Sequence, residues 1–305
     1  MAVEDEVRAH PTLALIGNTP MVELPVFQAE FPQARVLAKI EAFNPGGSIK
    51  DRPVLRMLID ALDRNELRPG MTILDSSSGN AGIAYAMIGG ILGFEVEIVM
   101  PGNASTERKR RIAAHGAACV YTDAVAGYDE AMREARRRHE ADPERTYFAD
   151  QYGNESNWLA HYDGTAAEIL AQAPDDFTHF VAGVGTGGTV TGVGRRLKEV
   201  RRDVQIVCAT PPAFPGVEGL KPLGPGYLDP DILDRSVVDT WIAIDVDESR
   251  ALSVELAHHG LFAGQSAGAY LFAVRRVLKS DPSAVVVTVL ADIGDRYFSA
   301  GLWDD

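Results

Sequence analysis

The run Thr72-Ile73-Leu74-Asp75-Ser76-Ser77-Ser78-Gly79-Asn80-Ala81-Gly82 and the later run Val96-Glu97-Ile98-Val99-Met100 together decide the fold class. Each opens or consists of a short β-rich segment, and the residues between them, about 81–92, carry a helical pattern. The alternation continues through a helix over about 105–115, a strand over 118–121 and a helix over about 128–140. Strands separated regularly by helices pair in parallel through crossover connections, so the chain is α/β. Gly93 and Gly116 fall just after two of these helices, where a left-handed terminal residue favours glycine. A first α/β unit therefore closes near residue 148.

Beyond it, the polar stretch 150–157 leads into a second series. A helix is expected over 159–172, strands over 178–184, 205–209, 237–244 and 285–290, and helices over 187–200, 249–258 and 268–278. The Pro/Gly-rich segment 211–230 is too irregular for an element and too long for an ordinary connection, which suits a binding loop. Arg133, Arg136, Arg137 and Arg138 are interleaved with Glu130, Glu134 and Glu140, the pattern of a solvated helix face.

Composition bounds the function. At 305 residues, 46% hydrophobic and 24% charged, the chain has the mixture of a globular protein of two domains or one large α/β unit. Its net charge of −14 repels nucleic-acid backbones and anionic lipid, so neither is expected as a partner. Cys119 and Cys208 stand far apart, leaving no disulfide framework and no cysteine zinc site, as in a reducing compartment. The N-terminus, Glu4-Asp5-Glu6, is acidic where a signal peptide is basic, and no apolar run is long enough to span a bilayer. A cytoplasmic protein is expected.

Three glycine-rich turns carry the chemistry. Asn44-Pro45-Gly46-Gly47-Ser48-Ile49-Lys50-Asp51-Arg52 places an amine at a helix start, where the helix end and Arg52 lower its pKa toward a nucleophilic neutral form; a plain surface lysine fits the loop as well. Ser76-Ser77-Ser78-Gly79-Asn80 offers hydroxyls and backbone N–H groups to an anion, or simply caps a helix. Gly183-Val184-Gly185-Thr186-Gly187-Gly188-Thr189 satisfies the G-x-G-x-x-G dinucleotide pattern. It lies deep in the chain, and its two threonines suit wrapping a single phosphate.

Taken in order, Ile16-Gly17-Asn18-Thr19-Pro20, the 44–52 loop, Ser78-Gly79-Asn80, Gln151-Tyr152-Gly153-Asn154, 185–189, Gly264-Gln265-Ser266-Ala267-Gly268 and Gly294-Asp295-Arg296-Tyr297 resemble the cysteine synthase and cystathionine β-synthase family of pyridoxal-phosphate enzymes. The resemblance runs from about residue 12 to 303. It implies a two-domain tryptophan synthase β-like fold, each domain a mainly parallel sheet flanked by helices. Residues 1–43 and 150–305 would form the larger, cofactor-phosphate-binding domain, and 44–149 a smaller mobile domain closing over the substrate. The family's haem-binding extension and regulatory domain are not expected.

The resemblance also assigns roles. Lys50 would carry the pyridoxal 5'-phosphate and act as general base; Asn80 would bond its ring hydroxyl; Gly185, Thr186, Gly187, Gly188 and Thr189 would hold its phosphate; Ser266 would face its ring nitrogen. Ser77, Ser78, Asn80 and Gln151 would receive the substrate α-carboxylate. A neutral serine at the ring nitrogen does not keep the ring protonated, which suits β-elimination over transamination. The implied reaction is β-replacement, forming L-cysteine from O-acetylserine or O-phosphoserine and sulfide through an aminoacrylate, in a homodimer without bound metal. Lys221, in Glu218-Gly219-Leu220-Lys221, would pair with a substrate phosphate as a point charge, or lie exposed on a mobile loop.

Ala81 stands where relatives commonly have Thr, and Gln265 and Ile293 replace smaller residues expected near the cofactor ring. His161-Tyr162-Asp163 and Leu233-Asp234-Arg235-Ser236-Val237-Val238-Asp239 resemble the cystathionine branch, which joins serine and homocysteine, so that reaction is the alternative. His161 itself reads as a hydrogen-bonded packing residue. A non-catalytic relative that binds a ligand or partner fits the departures but leaves Lys50, Asn80 and Ser266 without purpose. A nicotinamide oxidoreductase leaves the 44–52 loop unexplained. A serine hydrolase lacks the G-x-S-x-G elbow, and the adjacent His258-His259 would diverge on a helix.

Overall fold

The computed structural model describes residues 3–77 and 79–304; Ser78, one of the expected carboxylate contacts, lies outside the described residues. Among the described residues, ten strands form two sheets. In the first, β1 (Met21–Glu23), β2 (Arg35–Ile40), β7 (His179–Gly183), β8 (Gln205–Thr210), β9 (Thr240–Ala243) and β10 (Val285–Leu290) lie in the order β1-β2-β10-β7-β8-β9. All its neighbours are parallel except β1, which pairs antiparallel with β2. The second sheet is wholly parallel: β3 (Thr72–Ser76), β4 (Glu95–Pro101), β5 (Ala118–Thr122) and β6 (Thr146–Phe148) lie in the order β5-β4-β3-β6.

Burial explains the order. β10, Val-Val-Val-Thr-Val-Leu, is buried at every position and sits between β2 and β7, as a strand covered on both faces must. β5 closes an edge and leaves Tyr121 exposed. The helices are α1 (Val3–Arg8), α2 (Asp51–Asp63), α3 (Asn80–Ile91), α4 (Thr106–Ala114), α5 (Gly127–Ala141), α6 (Glu155–Ala160), α7 (Ala166–Gln172), α8 (Gly188–Val200), α9 (Val246–His258) and α10 (Gln265–Ser280). α3 is apolar on every side and lies buried, whereas α5 buries only Ala131 and Ala135. The arginines of α5 pair with Glu130, Glu134 and Glu97, the solvated face expected of them. Gly93 and Gly116 have φ of +80° and +89°, the left-handed caps the sequence suggests.

Three boundaries differ from expectation. The helix expected over 159–172 is interrupted by a π-turn at His161–Thr165, which divides α6 from α7. The strand expected over 237–244 shortens to β9, because Asp234 accepts from Ser236 N at 3.0 Å and winds Arg235–Val237 into a single tight turn. α9 begins earlier, capped by Asp245, whose side chain accepts from Glu248 N at 2.9 Å. No element forms in 211–230, in keeping with its Pro/Gly content.

Two large apolar cores underlie the sheets, and a minor cluster of Leu74, Val99, Ala131 and Ala135 joins β3 and β4 to α5. The larger core joins β2, β7, β8 and β10 to α8 and α10; the second core joins α2 and α3 to β3 and β4, and takes in Val7, Leu13 and Ile16. A buried cluster of four charges ties them together. Arg52 on α2 donates to Glu41 at 2.7 and 3.0 Å and to Glu168 on α7 at 2.6 and 2.8 Å, and Lys39 on β2 reaches Glu168 at 2.8 Å. Two cations and two carboxylates leave no net charge in the interior, the condition under which such burial is tolerable.

Candidate active site

The loops that leave the carboxyl ends of β3, β7 and β10 converge where the two sheets meet, the usual ligand position in open parallel sheets. A cavity of about 660 Å³ opens there, lined by Lys50, Ser77, Asn80, Gln151, Gly185, Thr186 and Lys221 among others. At its floor, a narrower recess adds Gly187, Thr189, Ser266 and Tyr270. Thus the fold gathers residues spread from 50 to 270 into one site.

Lys50 immediately precedes α2, and the backbone of its loop is fixed by Gly47 N on Asn44 O at 2.7 Å and Ile49 N on Ala291 O at 2.8 Å. Burial drives the lysine pKa down, and the charge of Asp292 opposes it. The expected direction stands, but its cause is corrected: Arg52 is engaged with Glu41 and Glu168, and desolvation depresses the amine. Part of Lys50 faces the cavity, where its amine can meet a ligand.

Gly187 has φ of +86°, which turns β7 sharply into α8 and starts the helix without a side-chain cap. The first N–H groups of α8 therefore have no helical partner and suit an anion. Close packing supports the turn: a Cβ on Gly185 would lie 2.7 Å from Gly219 O, and one on Gly188 would lie 2.9 Å from Asn157 Cγ. Asn157 donates to Thr186 Oγ1 at 3.1 Å and Gln151 O at 2.7 Å, and its buried Oδ1 lacks a partner. Beneath the turn, His161 meets Thr165 Oγ1 at 3.0 Å and Thr189 Oγ1 at 3.4 Å; burial and then Lys50 push its pKa well down. It is the packing histidine expected, here buttressing the turn.

Ser77 and Asn80 are pinned from below. Ser77 Oγ accepts from Gly79 N at 3.0 Å and Gly82 N at 2.8 Å, while Gln151 donates to Ser76 O at 2.6 Å. Asn80 donates to Asp292 Oδ2 at 2.6 Å and accepts from Arg296. Tyr297 OH shares the same Asp292 oxygen at 2.7 Å; the other oxygen is buried and unpartnered. Ser266 lies in the first turn of α10 at the recess.

Other expectations resolve differently. Lys221 is buried and paired with Asp129 rather than exposed on a mobile loop. Gln265 does not turn to the recess: its Oε1 accepts from Glu218 N at 2.9 Å. Ile293 forms a backbone bridge with Ala263. Sequence reasoning missed Arg108 and Asn157 as neighbours of the cavity, and it placed Glu218 only within the 211–230 binding loop without giving its side chain a role; Asn157, in the polar run before the second series, carried a weak signal. Among the described residues, no group of three or more His, Cys, Asp or Glu could hold a metal ion, and no helix is long and apolar enough to cross a membrane.

A left-handed glycine turn at the start of α8, a lysine with a lowered pKa and the Ser266 hydroxyl in the first turn of α10 thus share one recess. The model of the pyridoxal-phosphate dependent enzyme family matches residues 12–292, and the chain belongs to that family. It is 42% identical over 302 residues to the cysteine synthase of Aquifex aeolicus (strain VF5), covering 96% of this chain and 92% of the relative. The cystathionine beta-synthase of Apis mellifera is 35% identical over 305 residues, covering 94% of this chain and 60% of that protein. The structure of O-ureido-L-serine synthase superposes with a TM-score of 0.89 at 36% identity, covering 97% of this chain and 95% of that one. The fold is the tryptophan synthase β-like one that the motifs imply, and the cofactor is pyridoxal 5'-phosphate.

Proposed function

We propose that the chain catalyses β-replacement on an activated serine, O-acetylserine or O-phosphoserine, with sulfide, forming L-cysteine. The observation that carries this reading is the placement of the depressed Lys50 amine in one cavity with the Ser77–Asn80 turn and the 185–189 cup. The residues fit the cofactor: 185–189 would offer helix-start N–H groups to its phosphate, Lys50 would attach it, Asn80 would bond its ring hydroxyl and Ser266 would lie at its ring nitrogen. When bound, pyridoxal phosphate supplies an electron-accepting ring that stabilises negative charge at the substrate Cα.

The chain's own groups do the rest. Ser77 and Asn80, with Gln151, would orient the substrate carboxylate, and Lys50 Nζ, its pKa lowered by burial, would take the Cα proton. Gln151 Nε2 uses one of its two N–H groups on Ser76 O, and Ser77 Oγ, which accepts from two backbone N–H groups, keeps its own proton to donate, so both retain a donor for the carboxylate. The part formed by 44–149 closes over the substrate against 1–43 and 150–305, and the enzyme acts as a cytoplasmic homodimer. Lys221 exchanges Asp129 for a donor phosphate.

The test is to record the visible spectrum of the holoprotein with O-acetylserine, O-phosphoserine and serine in turn, then quantify amino-acid product after adding sulfide or homocysteine. A spectral shift with either activated donor and cysteine after sulfide supports the reading. Product only from serine and homocysteine would move the protein to the cystathionine branch.

A further inference from the structure

Residues 217–221 form a strap across the cavity. Lys221 N donates to Val184 O at 2.7 Å, Glu218 N to Gln265 Oε1 at 2.9 Å, and Gly219, with φ of +89°, lays its carbonyl against Gly185. The Glu218 carboxylate extends from the strap to Arg108 of α4 and pairs with its Nη1. Arg108 is 3% exposed, its guanidinium lies 4.8 Å from the centroid of the Tyr297 ring, and its Nε is buried without a hydrogen-bond partner. A Cβ on Gly79 would stand 2.6 Å from that Nε, so glycine at this position lets the guanidinium pack against the start of α3 at the cavity wall.

The two partners are unequal. Arg108 is locked among Gly79, Tyr297 and the body of α4, whereas the Glu218 side chain is 35% exposed on a segment without secondary structure. A buried guanidinium must keep a negative partner, and one oxyanion can replace another without leaving the charge unpaired. Arginine also holds carboxylates and sulfonates through two parallel bonds, and Glu218 meets only one of its terminal nitrogens.

We propose that Arg108 determines specificity for the second substrate: a sulfur nucleophile that carries its own oxyanion displaces Glu218 and seats that anion on the guanidinium. Small nucleophiles without an oxyanion leave Glu218 in place and gain nothing from Arg108. The inference rests on the β-replacement reading above; the reaction is unchanged, with the sulfur bonding to the substrate β-carbon after the leaving group has departed.

The test compares mercaptoacetate with 2-mercaptoethanol as nucleophiles for the holoenzyme, using the donor that turns over with sulfide. The readout is the ratio of their kcat/KM values. A ratio of about ten or more is expected in the native protein; it falls toward one in Arg108→Gln, is partly kept in Arg108→Lys, and rises in Glu218→Gln. In parallel, calorimetry with glycolate, which has the carboxylate but no thiol, is expected to show binding that tightens in Glu218→Gln and is lost in Arg108→Gln. A native ratio near one, a ratio that survives Arg108→Gln, or glycolate binding indifferent to both variants would overturn the proposal. If no nucleophile turns over, the β-replacement reading fails, and glycolate binding still decides the role of Arg108.

Discussion

Replacing Glu41 with Gln tests how the interior charge cluster holds the lysine loop. Glu41 is fully buried and accepts from Thr19 Oγ1 at 2.7 Å, Asn44 Nδ2 at 2.8 Å, and Arg52 Nε and Nη2 at 2.7 and 3.0 Å. Glutamine keeps one acceptor but turns an NH₂ group toward donors, and it removes half of the negative charge facing Arg52 and Lys39. Breaking a buried pair costs about 3–5 kcal/mol. Glu168 stays within 2.6 Å of Arg52, so the lower end, about 3 kcal/mol, is expected. That is a large share of a total of roughly 5–15 kcal/mol. At about 2–4 °C per kcal/mol, the thermal midpoint should drop by roughly 6–12 °C. The assay is thermal unfolding followed by circular dichroism, with Arg52→Gln and the double variant completing a cycle. Since the contacts are shared, the double variant should lose less than the sum of the singles. A loss below about 1 kcal/mol, or strict additivity, would refute the idea that these charges stabilise the loop as a unit.

Lys50→Ala should abolish the visible cofactor band and turnover while leaving the far-ultraviolet spectrum intact; retained turnover would reject Lys50 as the reacting amine. Burial raises the Asp51 pKa to about 7, against a backbone bond from Gly46 that lowers it. Between about pH 4 and 7 the folded chain thus keeps a proton that the unfolded chain has released, so stability declines as pH rises through that window. Asp51→Asn should remove part of the fall in thermal midpoint between pH 5 and 8, leaving the share of Asp75, likewise raised to about 7 by burial; an undiminished fall counts against it. Gly192→Ala would put a Cβ 2.8 Å from Tyr162 N in the π-turn, at a cost of about 1–3 kcal/mol, and should weaken cofactor retention measured by equilibrium dialysis. Lys221→Ala should raise KM for O-phosphoserine more than for O-acetylserine; equal effects would remove Lys221 from phosphate recognition.

What was legible in the sequence was local. β10 declares itself through a nearly continuous β-branched run and β4 through Val96, Ile98 and Val99, and Gly93 and Gly116 mark helix ends because a left-handed residue must be supplied in place. The short strands β1 and β6 carry too few residues for a pattern, and the π-turn at 161–165 arises from packing against α8, not from its own composition. Lys50, Asn80 and 185–189 stood out because glycine-rich turns are encoded contiguously. Arg108 and Glu218 did not, because their meeting depends on how a loop after β8 lies over a helix after β4. The cause of the Lys50 shift was misread for the same reason: Arg52 is adjacent in sequence, but Glu41 and Glu168 neutralise it in space.

The position of β10 has a bearing on synthesis. β2 is made early, yet its parallel neighbour is β10, and everything between Ile40 and Val285 must leave the ribosome first. At about 5–20 residues per second this takes on the order of tens of seconds. The sheet of β3 to β6 is contiguous in the chain and can close meanwhile, whereas β2 and β7 expose apolar edges on either side of an empty place. The nascent enzyme therefore passes through a half-built state whose unpaired edges invite chaperones or aggregation, and a stalled or truncated chain lacking β10 retains that hazard.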